Sequence, residues 1–235
     1  MNENRAQRSR ACVVPRDHGE MTVGTLDPRD GVQVASVAEL PTRFGHFRIV
    51  AFLNEIDGKE HIAIVRGEIA GATHVPTRLH SECLTGDVIG SLRCDCRDQL
   101  ETALRCLGQS ERGLLLYMRQ EGRGIGLVNK VCAYALQDRG LDTVDANLVL
   151  GFDDDDRDYT IAAHMIRCLE VGSIQLMTNN PRKIDQLTRC GVQVVERVRH
   201  VMPANPHNRF YLETKAERSG HLLDAGGNGT ARPEA

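Results

Sequence analysis

A change of hydrophobic period at Cys96 constrains the fold of this chain more than any other feature. Before it, apolar side chains form short strand-like runs bounded by turn residues, at positions 46–52, 61–69 and 74–80. After it, apolar residues recur at helical spacing up to Gly108: Leu100, Ala103, Leu104 and Leu107. We therefore expect antiparallel strands in the first half and a helix that follows Cys96.

The second half alternates strand-like and helix-like segments. Short apolar runs predict buried strands at positions 113–118, 173–177 and 192–198. Segments of helical period predict helices at 127–137 and 160–170, and the turn 178–183 opens a further short helix that Gly191 ends. Strands that alternate with helices, after an antiparallel start, predict an α/β fold with a mixed β-sheet covered by helices.

The folded part is expected to be a single domain over residues 32–222, because no linker or repeat divides it. Residues 1–31 are polar and lack periodicity, which predicts a flexible N-terminal extension. Residues 223–235 are rich in Gly and polar residues, which predicts a flexible C-terminal tail.

Charge and hydropathy exclude several classes of function. The 235 residues carry 29 Lys and Arg against 32 Asp and Glu, a net charge of −3, so no general basic field would attract nucleic acid or an anionic membrane. No apolar run approaches the roughly 20 residues of a membrane span. The N-terminal residues lack the apolar stretch of a secretory signal, so we expect a cytoplasmic protein whose eight cysteines stay reduced.

Three of those cysteines are close in sequence and have polar neighbours. Cys83, Cys94 and Cys96 form a C-x10-C-x-C pattern, which differs from the C-x2-C pairs of structural zinc sites. Three thiolates without an obvious fourth ligand are typical of an open metal site, in which water takes the last position and is activated for hydrolysis. His80 could close the site as a fourth ligand, or could lie beside it and contact a ligand or the substrate.

Two further segments can bind an anion. The Gly-rich turn 121–126 follows a predicted strand and precedes a predicted helix, so its backbone N–H groups can point at a phosphate, and the turn 178–183 repeats the arrangement. The acidic block 153–158 surrounds a single Arg. Asp155 and Arg157 can act together only if this block is a loop or strand, which its composition favours.

Five runs of the sequence, in this order, resemble the GTP cyclohydrolase II family: residues 78–100, 119–138, 142–147, 150–159 and 176–183. The resemblance implies a homodimeric, GTP cyclohydrolase II-like hydrolase that holds one Zn²⁺ per subunit and uses Mg²⁺ with the triphosphate. It implies conversion of GTP to 2,5-diamino-6-ribosylamino-4(3H)-pyrimidinone 5′-phosphate, formate and pyrophosphate, the first step of riboflavin biosynthesis.

The resemblance also assigns roles to individual positions. The zinc ligands would be Cys83, Cys94 and Cys96. Contacts to GTP would come from Arg78, Leu79, His80, Ser81, Glu82, Gln99, Glu121, Gly122, Arg123, Thr143, Thr178 and Lys183. The catalytic residues would be Asp155 as proton acceptor, Arg157 as nucleophile and Tyr134 in the ring chemistry. The residues themselves leave a second role open for Arg157, electrostatic stabilisation of the transferred phosphoryl group while water attacks.

Alternatives remain at this stage. The same reaction could feed a specialised azapteridine-type metabolite, or the chain could be a non-catalytic GTP-binding regulator that retains the zinc fold. A zinc nucleobase deaminase is disfavoured because its H-x-E and P-C-x-x-C pattern is missing. About 30 N-terminal residues are also too few for the butanone-phosphate synthase domain of the bifunctional relatives.

Overall fold

The computed structural model describes residues 31–153, 155, 157–218 and 222. The extension predicted for residues 1–31, apart from Gly31, and the tail predicted for 223–235 lie outside this description. Seven strands form one mixed sheet. They are β1 (Val32–Thr42), β2 (Gly45–Asn54), β3 (Ile62–Arg66), β4 (Val75–Ser81), β5 (Gly113–Met118), β6 (Ile174–Met177) and β7 (Val194–Val198).

The strand order is β1-β2-β3-β5-β4-β6-β7, with an antiparallel half and a parallel half. Antiparallel pairing joins β1, β2, β3 and β5, whereas β5, β4, β6 and β7 pair in parallel. The expected antiparallel start is therefore confirmed for β2 and β3 and is wrong for β4. The reason is the helical connection from β4 to β5, because a crossover of this kind brings the next strand back in the same direction.

Helices complete the α/β fold. They are α1 (Cys96–Gln109), α2 (Gly126–Gln137), α3 (Thr143–Val149), α4 (Thr160–Cys168), α5 (Pro181–Arg189) and α6 (Arg209–Arg218). The predicted helices correspond to α1, α2, α4 and α5. Sequence periodicity did not predict β1, α3 or α6, because β1 is an edge strand of mixed burial and α3 has only seven residues.

Strand β5 shows why its sequence is continuously apolar. Leu114 and Leu116 belong to the larger core cluster, which includes Met165 of α4, and Leu115 belongs to a second cluster with Leu107 of α1. All three leucines have no exposed surface. Both faces of the sheet are therefore covered at β5, as in parallel sheets flanked by helices.

The described residues contain no helix that is both long and apolar enough to cross a membrane.

Candidate active site

A pocket lies where the parallel strands β4, β5 and β6 end. The chain leaves β4 through residues 81–83, β5 through 120–123 and β6 through 178–180, and all three segments line the pocket. Side chains at the carboxyl ends of neighbouring parallel strands meet at one edge of the sheet, which is where open α/β sheets bind ligands. Residues from α1, α2, α3, α5 and α6 close the remaining sides.

Most residues singled out from the sequence meet in this pocket. Its lining includes Cys83, Cys94, Cys96, Tyr134, Arg157, Arg78, His80, Ser81, Glu82, Gln99, Glu121, Gly122, Arg123, Thr143, Thr178 and Lys183. Leu79 and Asp155 do not line it. The Leu79 side chain belongs to the core. The backbone carbonyl oxygen of Leu79 accepts a hydrogen bond from Lys183 Nζ at 2.8 Å. Asp155 contacts the pocket through its ion pair with Arg157.

The three cysteines form a compact cluster of sulfur atoms. Their Sγ atoms all lie within 4.8 Å of one another, and the Cys83 and Cys94 sulfurs are 3.7 Å apart. Two sulfurs at about 2.3 Å from a tetrahedral zinc lie about 3.8 Å apart, so this spacing fits a shared metal ion. Cys83 precedes a π-helical turn, Leu84–Val88, and Cys96 begins α1. The donor set therefore suits zinc, with three thiolates and one position left for another ligand.

Gly86 in that turn has no side chain, and the sulfur atoms occupy the space that a side chain would fill. A Cβ atom at this position would lie 2.8 Å from Cys94 Sγ, 3.0 Å from Cys96 Cβ and 3.1 Å from Cys83 Sγ. Its N–H group also donates to Cys83 Sγ at 3.4 Å. A side chain here would push the three thiols apart, so glycine is needed for steric reasons.

The thiols share their protons unequally. Hydrogen bonds from Cys94 and Cys96, together with the positive charge of Lys130, lower the pKa of the Cys83 thiol well below its usual range. The bond to Cys83 and burial raise the pKa of Cys94 to about 11, and the same causes raise the pKa of Cys96. Cys83 is thus the thiol that carries negative charge most readily, as a metal ligand must.

Lys130 of α2 lies between Cys83 and an acidic side chain. Its Nζ atom donates to Cys83 Sγ at 3.1 Å and to Glu121 Oε1 at 2.6 Å. Burial lowers the pKa of Lys130, but the bond to Glu121 and the charge of Cys83 outweigh it and raise the pKa. The other Glu121 oxygen accepts from the Leu84 backbone N–H at 2.6 Å. Glu121 and Lys130 therefore join the Gly-rich turn and α2 to the segment that carries Cys83.

The Gly-rich turn has the backbone geometry that its sequence allows. Gly122 and Arg123 both adopt left-handed conformations, with φ of 62° and 60°. At Gly122 a Cβ atom would also lie 3.2 Å from Lys130 Cβ, so the glycine admits the lysine side chain. Arg123 carries a Cβ atom, so the left-handed conformation is unfavourable for it. A left-handed arginine at a pocket wall is a strained residue of the kind found at functional sites.

His80 is hydrogen-bonded to Asp87 and is not part of the sulfur cluster. Its Nε2 atom lies 3.0 Å from Asp87 Oδ2, the atom that accepts from the Tyr117 hydroxyl at 2.9 Å and from the Cys83 backbone N–H at 3.0 Å. Burial lowers the pKa of His80. Among the described residues, the group of side chains that could hold a metal ion consists of the three cysteines and does not include His80. The arrangement favours His80 as a residue beside the metal site that positions the Cys83 segment through Asp87.

Two further residues of the pocket lining, Arg157 and Lys183, are cations. Arg157 donates to both carboxylate oxygens of Asp155, from Nε at 2.6 Å and from one terminal nitrogen at 2.5 Å. The Arg157 guanidinium and the Lys183 ammonium lie 5.9 Å and 5.5 Å from the ring centre of buried Tyr159. Both cations are thus held against one aromatic ring. Burial raises the pKa of Asp155, but its bonds to Arg157 outweigh this and lower the pKa.

Arg78 links β4 to β6 and α1. It donates to the Met177 carbonyl at 2.7 Å and to Gln99 Oε1 at 2.5 Å, and Gln99 in turn donates to Asp95 Oδ2 at 2.5 Å. Burial lowers the pKa of Arg78 to about 10. The guanidinium therefore remains charged at neutral pH within a fixed hydrogen-bond network.

Comparison with known proteins agrees with this geometry. Residues 33–199 match the protein family described as GTP cyclohydrolase II. The chain is also 53% identical over 195 residues to the protein named GTP cyclohydrolase-2 of Escherichia coli O9:H4 (strain HS), across 82% of this chain and 100% of the relative. This chain belongs to the GTP cyclohydrolase II family. GTP cyclohydrolase-2 of E. coli K12 (strain DH10B) has the same identity and coverage.

One solved structure is similar to part of this GTP cyclohydrolase II family member. It is described as RibBX, a two domain 3,4-dihydroxy-2-butanone 4-phosphate synthase from A. baumannii, and is 14% identical with a TM-score of 0.42. The likeness covers 74% of this chain and 41% of that chain.

Sequence reasoning missed several pocket residues of this family member, above all Lys130. A lysine within a predicted helix is ordinarily solvated, so its residue type gave no reason to select it. One signal was available, because Lys130 and Tyr134 are four positions apart and therefore lie on the same face of α2. Ile125, Asn179 and Asn180 also line the pocket and lie in the two turns that the sequence indicated as anion-binding segments. The lining residues that the sequence did not indicate are Arg93, Asp95, Gln120, Ala133, Gln137, Asn147, Tyr211 and Leu212.

Proposed function

We propose that this chain is a zinc-dependent GTP cyclohydrolase II that catalyses the first step of riboflavin biosynthesis. The reaction converts GTP to 2,5-diamino-6-ribosylamino-4(3H)-pyrimidinone 5′-phosphate, formate and pyrophosphate. It requires hydrolysis of the imidazole ring and cleavage between the α- and β-phosphates of one substrate. The single observation that carries the proposal is one pocket lined both by a three-thiol cluster and by the cations Arg157 and Lys183, which lie against the same Tyr159 ring.

The ring chemistry is assigned to the cysteine cluster. When bound by Cys83, Cys94 and Cys96, zinc would act as a Lewis acid and supply a nucleophile for hydrolysis at C8 of the guanine ring. Tyr134 is suited to act there, because its hydroxyl lies 3.2 Å from the Thr85 hydroxyl beside Cys83. Burial raises the pKa of Tyr134, so the phenol keeps its proton and can donate a hydrogen bond to the opening ring.

The phosphate chemistry is assigned to the cations around Arg157 and Lys183. Arg157, Lys183, Arg123 and Thr178 would contact the triphosphate, and Arg78 to Glu82 with Gln99 and Thr143 would contact the nucleoside. Arg157 is proposed to stabilise the charge of the transferred phosphoryl group. Burial would lower the pKa of its guanidinium, but Tyr159 and Asp155 raise it above the ordinary value. A guanidinium that stays protonated is a poor nucleophile, which favours attack by water over a covalent intermediate.

Mg²⁺ is proposed to enter with the triphosphate. Mg²⁺ prefers oxygen ligands and is commonly bound through substrate phosphates with one or two carboxylates. Within the described residues, the group that could hold a metal consists of the three cysteines, which do not suit Mg²⁺.

A homodimer in the cytoplasm completes the proposal. Exposed apolar side chains in the 84–93 segment and on α2 offer a surface for a second copy, among them Val88, Ile89, Val128 and Val131. The Thr85–Tyr134 contact and the Arg93–Asp138 ion pair bring these two segments together. A reducing compartment suits the enzyme because its metal ligands must stay as free thiols.

One experiment tests the whole reaction. Zinc-loaded protein is incubated with GTP and Mg²⁺, and formate, pyrophosphate and the diaminopyrimidine are quantified by mass spectrometry. We expect the three products in equal amounts. Cys94→Ser is expected to abolish formate because it removes a metal ligand. Arg157→Ala is expected to block pyrophosphate release because it removes the cation proposed to stabilise the transferred phosphoryl group.

The other outcomes are equally informative. Tight GTP binding without turnover would contradict the proposal and favour a non-catalytic regulator. Near-normal pyrophosphate release by Arg157→Ala would remove that residue from the mechanism. The fate of the product, riboflavin or an azapteridine-type metabolite, is tested by whether deletion of the gene makes growth depend on riboflavin.

A further inference from the structure

Lys130 is a buried cation whose partners are unusual for a lysine. Only 9% of its surface is exposed. Its ammonium contacts a metal-ligating sulfur, Cys83 Sγ at 3.1 Å, and a carboxylate, Glu121 Oε1 at 2.6 Å. A lysine is almost never buried unless it is paired, and the cost of desolvating it requires compensating charge. The compensation comes from a thiolate and a carboxylate together.

The surrounding chain holds Lys130 in this position. Glu121 is fixed by two backbone donors, the N–H groups of Leu84 at 2.6 Å and Gly122 at 2.9 Å. Gly122 lacks the Cβ atom that would crowd the lysine side chain. One turn further along α2, Tyr134 contacts Thr85 in the segment that follows Cys83. The ammonium is therefore directed at the sulfur by several independent contacts.

Charge balance gives this contact a role. Three thiolates around a divalent zinc carry a net charge of −1, which a neighbouring ammonium neutralises. A hydrogen bond from a cation also withdraws electron density from the thiolate, so the metal receives a weaker donor at Cys83 than at the other two cysteines. Partners of this kind around metal ligands orient them and tune the metal.

We propose that Lys130 is a positioning residue of the metal site, which orients the Cys83 thiolate and tunes its donor strength through a charge-assisted hydrogen bond. This inference rests on the proposed metal site and extends it to a residue on a different element, α2. Lys130 acts through Cys83, and Glu121 orients the lysine in turn.

Cobalt-loaded protein provides a direct test. Co²⁺ accepts similar thiolate sites and shows a thiolate-to-metal charge-transfer band that reports the donor strength of sulfur. Lys130→Met is expected to move this band to longer wavelength, because the sulfur loses its hydrogen bond and becomes a stronger donor. Zinc affinity, measured by chelator competition, is expected to fall by about 10- to 100-fold, because the loss of the contact that orients Cys83 outweighs the stronger donation of its sulfur. Lys130→Arg, which keeps a cationic donor, should restore a band close to the wild-type position.

Lys59→Met is the matched control. Lys59 is half exposed in the β2–β3 turn and pairs with Asp57, so its loss should leave the cobalt spectrum unchanged. An unshifted band in folded, cobalt-loaded Lys130→Met would overturn the proposal whatever its activity. If that variant does not fold, Lys130→Gln and Lys130→Arg are compared, and equal bands in these two would overturn it. Because the band is recorded without GTP, the result is independent of whether the proposed hydrolysis occurs.

Discussion

At the scale of single residues, Gly86 makes the sharpest prediction. Gly86→Ala would place a methyl group within 3.1 Å of both Cys83 Sγ and Cys94 Sγ, so the group could be accommodated only if the sulfur atoms themselves moved. We expect zinc affinity to fall by about tenfold or more, as for other changes beside metal ligands. Metal content after dialysis and chelator competition measure the effect.

A glycine outside the site, Gly58, provides the control for this steric effect. Gly58 has a φ of +66°, and a methyl group attached there would meet no atom within 4 Å, so Gly58→Ala costs the fold about 1 kcal/mol without touching the site. It should bind zinc as the wild type does. Wild-type zinc affinity in Gly86→Ala would show that the cluster can open, and that the glycine is not required.

The sequence predicts part of the site at this scale. The spacing of Cys83, Cys94 and Cys96 was sufficient to predict that the three thiols could share a metal, because a C-x-C pair already places two sulfurs together. It did not indicate Lys130 or Asp87, since the role of each depends on a distant partner. Lys130 contacts Cys83 from 47 positions away, and Asp87 meets Tyr117 from 30 positions away.

At the scale of elements, α3 depends on its cap. Asp142 Oδ1 accepts from the backbone N–H groups of Val144 and Asp145, both at 2.8 Å, and the helix is only seven residues long. Asp142→Ala is expected to lower the free energy of unfolding by about 1 kcal/mol. The melting temperature should fall by about 2–4 °C for a domain of this size. Because Thr143 begins α3 and lines the pocket, KM for GTP should rise as well.

The neighbouring acid is the control for this helix. Both Asp142 and Asp145 accept hydrogen bonds from exposed Arg218 of α6. Asp145→Ala removes one of these ion pairs and keeps the cap, so its effect should stay within about 0.5 kcal/mol. Asp142→Asn should retain most of the stability because asparagine also caps helices. Equal losses in Asp142→Ala and Asp145→Ala would assign the effect to the ion pairs instead of the cap.

Elements were predictable where a long run kept one hydrophobic period. Residues 113–118 form β5 with the expected bounds, and the helix expected after Cys96 is α1. The elements that escaped prediction are held by partners elsewhere in the chain. Helix α6 contacts α3 through the ion pairs of Arg218 with Asp142 and Asp145, and β1 is positioned by its antiparallel pairing with β2. Local sequence contains no trace of such partners.

At the scale of the whole molecule, the two halves of the sheet have different tasks. The antiparallel strands β1 to β3 contribute core residues such as Val50 and Val65 and contribute nothing to the pocket lining. The parallel strands end at the pocket, so the connections that follow them can carry chemistry without disturbing pairing. The change of period seen in the sequence at Cys96 thus coincides with the beginning of the helix that carries one cysteine of the sulfur cluster.

Buried histidines make the stability of this fold sensitive to acid. Outside the pocket lining, His200 is 5% exposed, and its Nε2 atom lies 2.8 Å from the Gln99 carbonyl oxygen at the start of α1. Burial lowers the pKa of His200 from 6.5 to about 4, with a further contribution from the charge of Arg78. Between these two values the unfolded chain binds a proton that the folded chain does not. Stability contributed by neutral His200 is therefore complete above pH 6.5 and is lost as the pH falls towards 4.

His200→Gln tests this linkage, because the glutamine amide can still donate to the Gln99 carbonyl but does not titrate. In the wild type, His200 alone adds a slope of up to about 1.4 kcal/mol per pH unit to the free energy of unfolding within this window. The slope of the variant should be smaller by up to that amount. Urea unfolding at several pH values measures both slopes, and His61 and His80, whose pKa values burial also lowers, contribute equally to the two proteins. Parallel slopes would mean that His200 takes up its proton in the folded state as readily as in the unfolded chain.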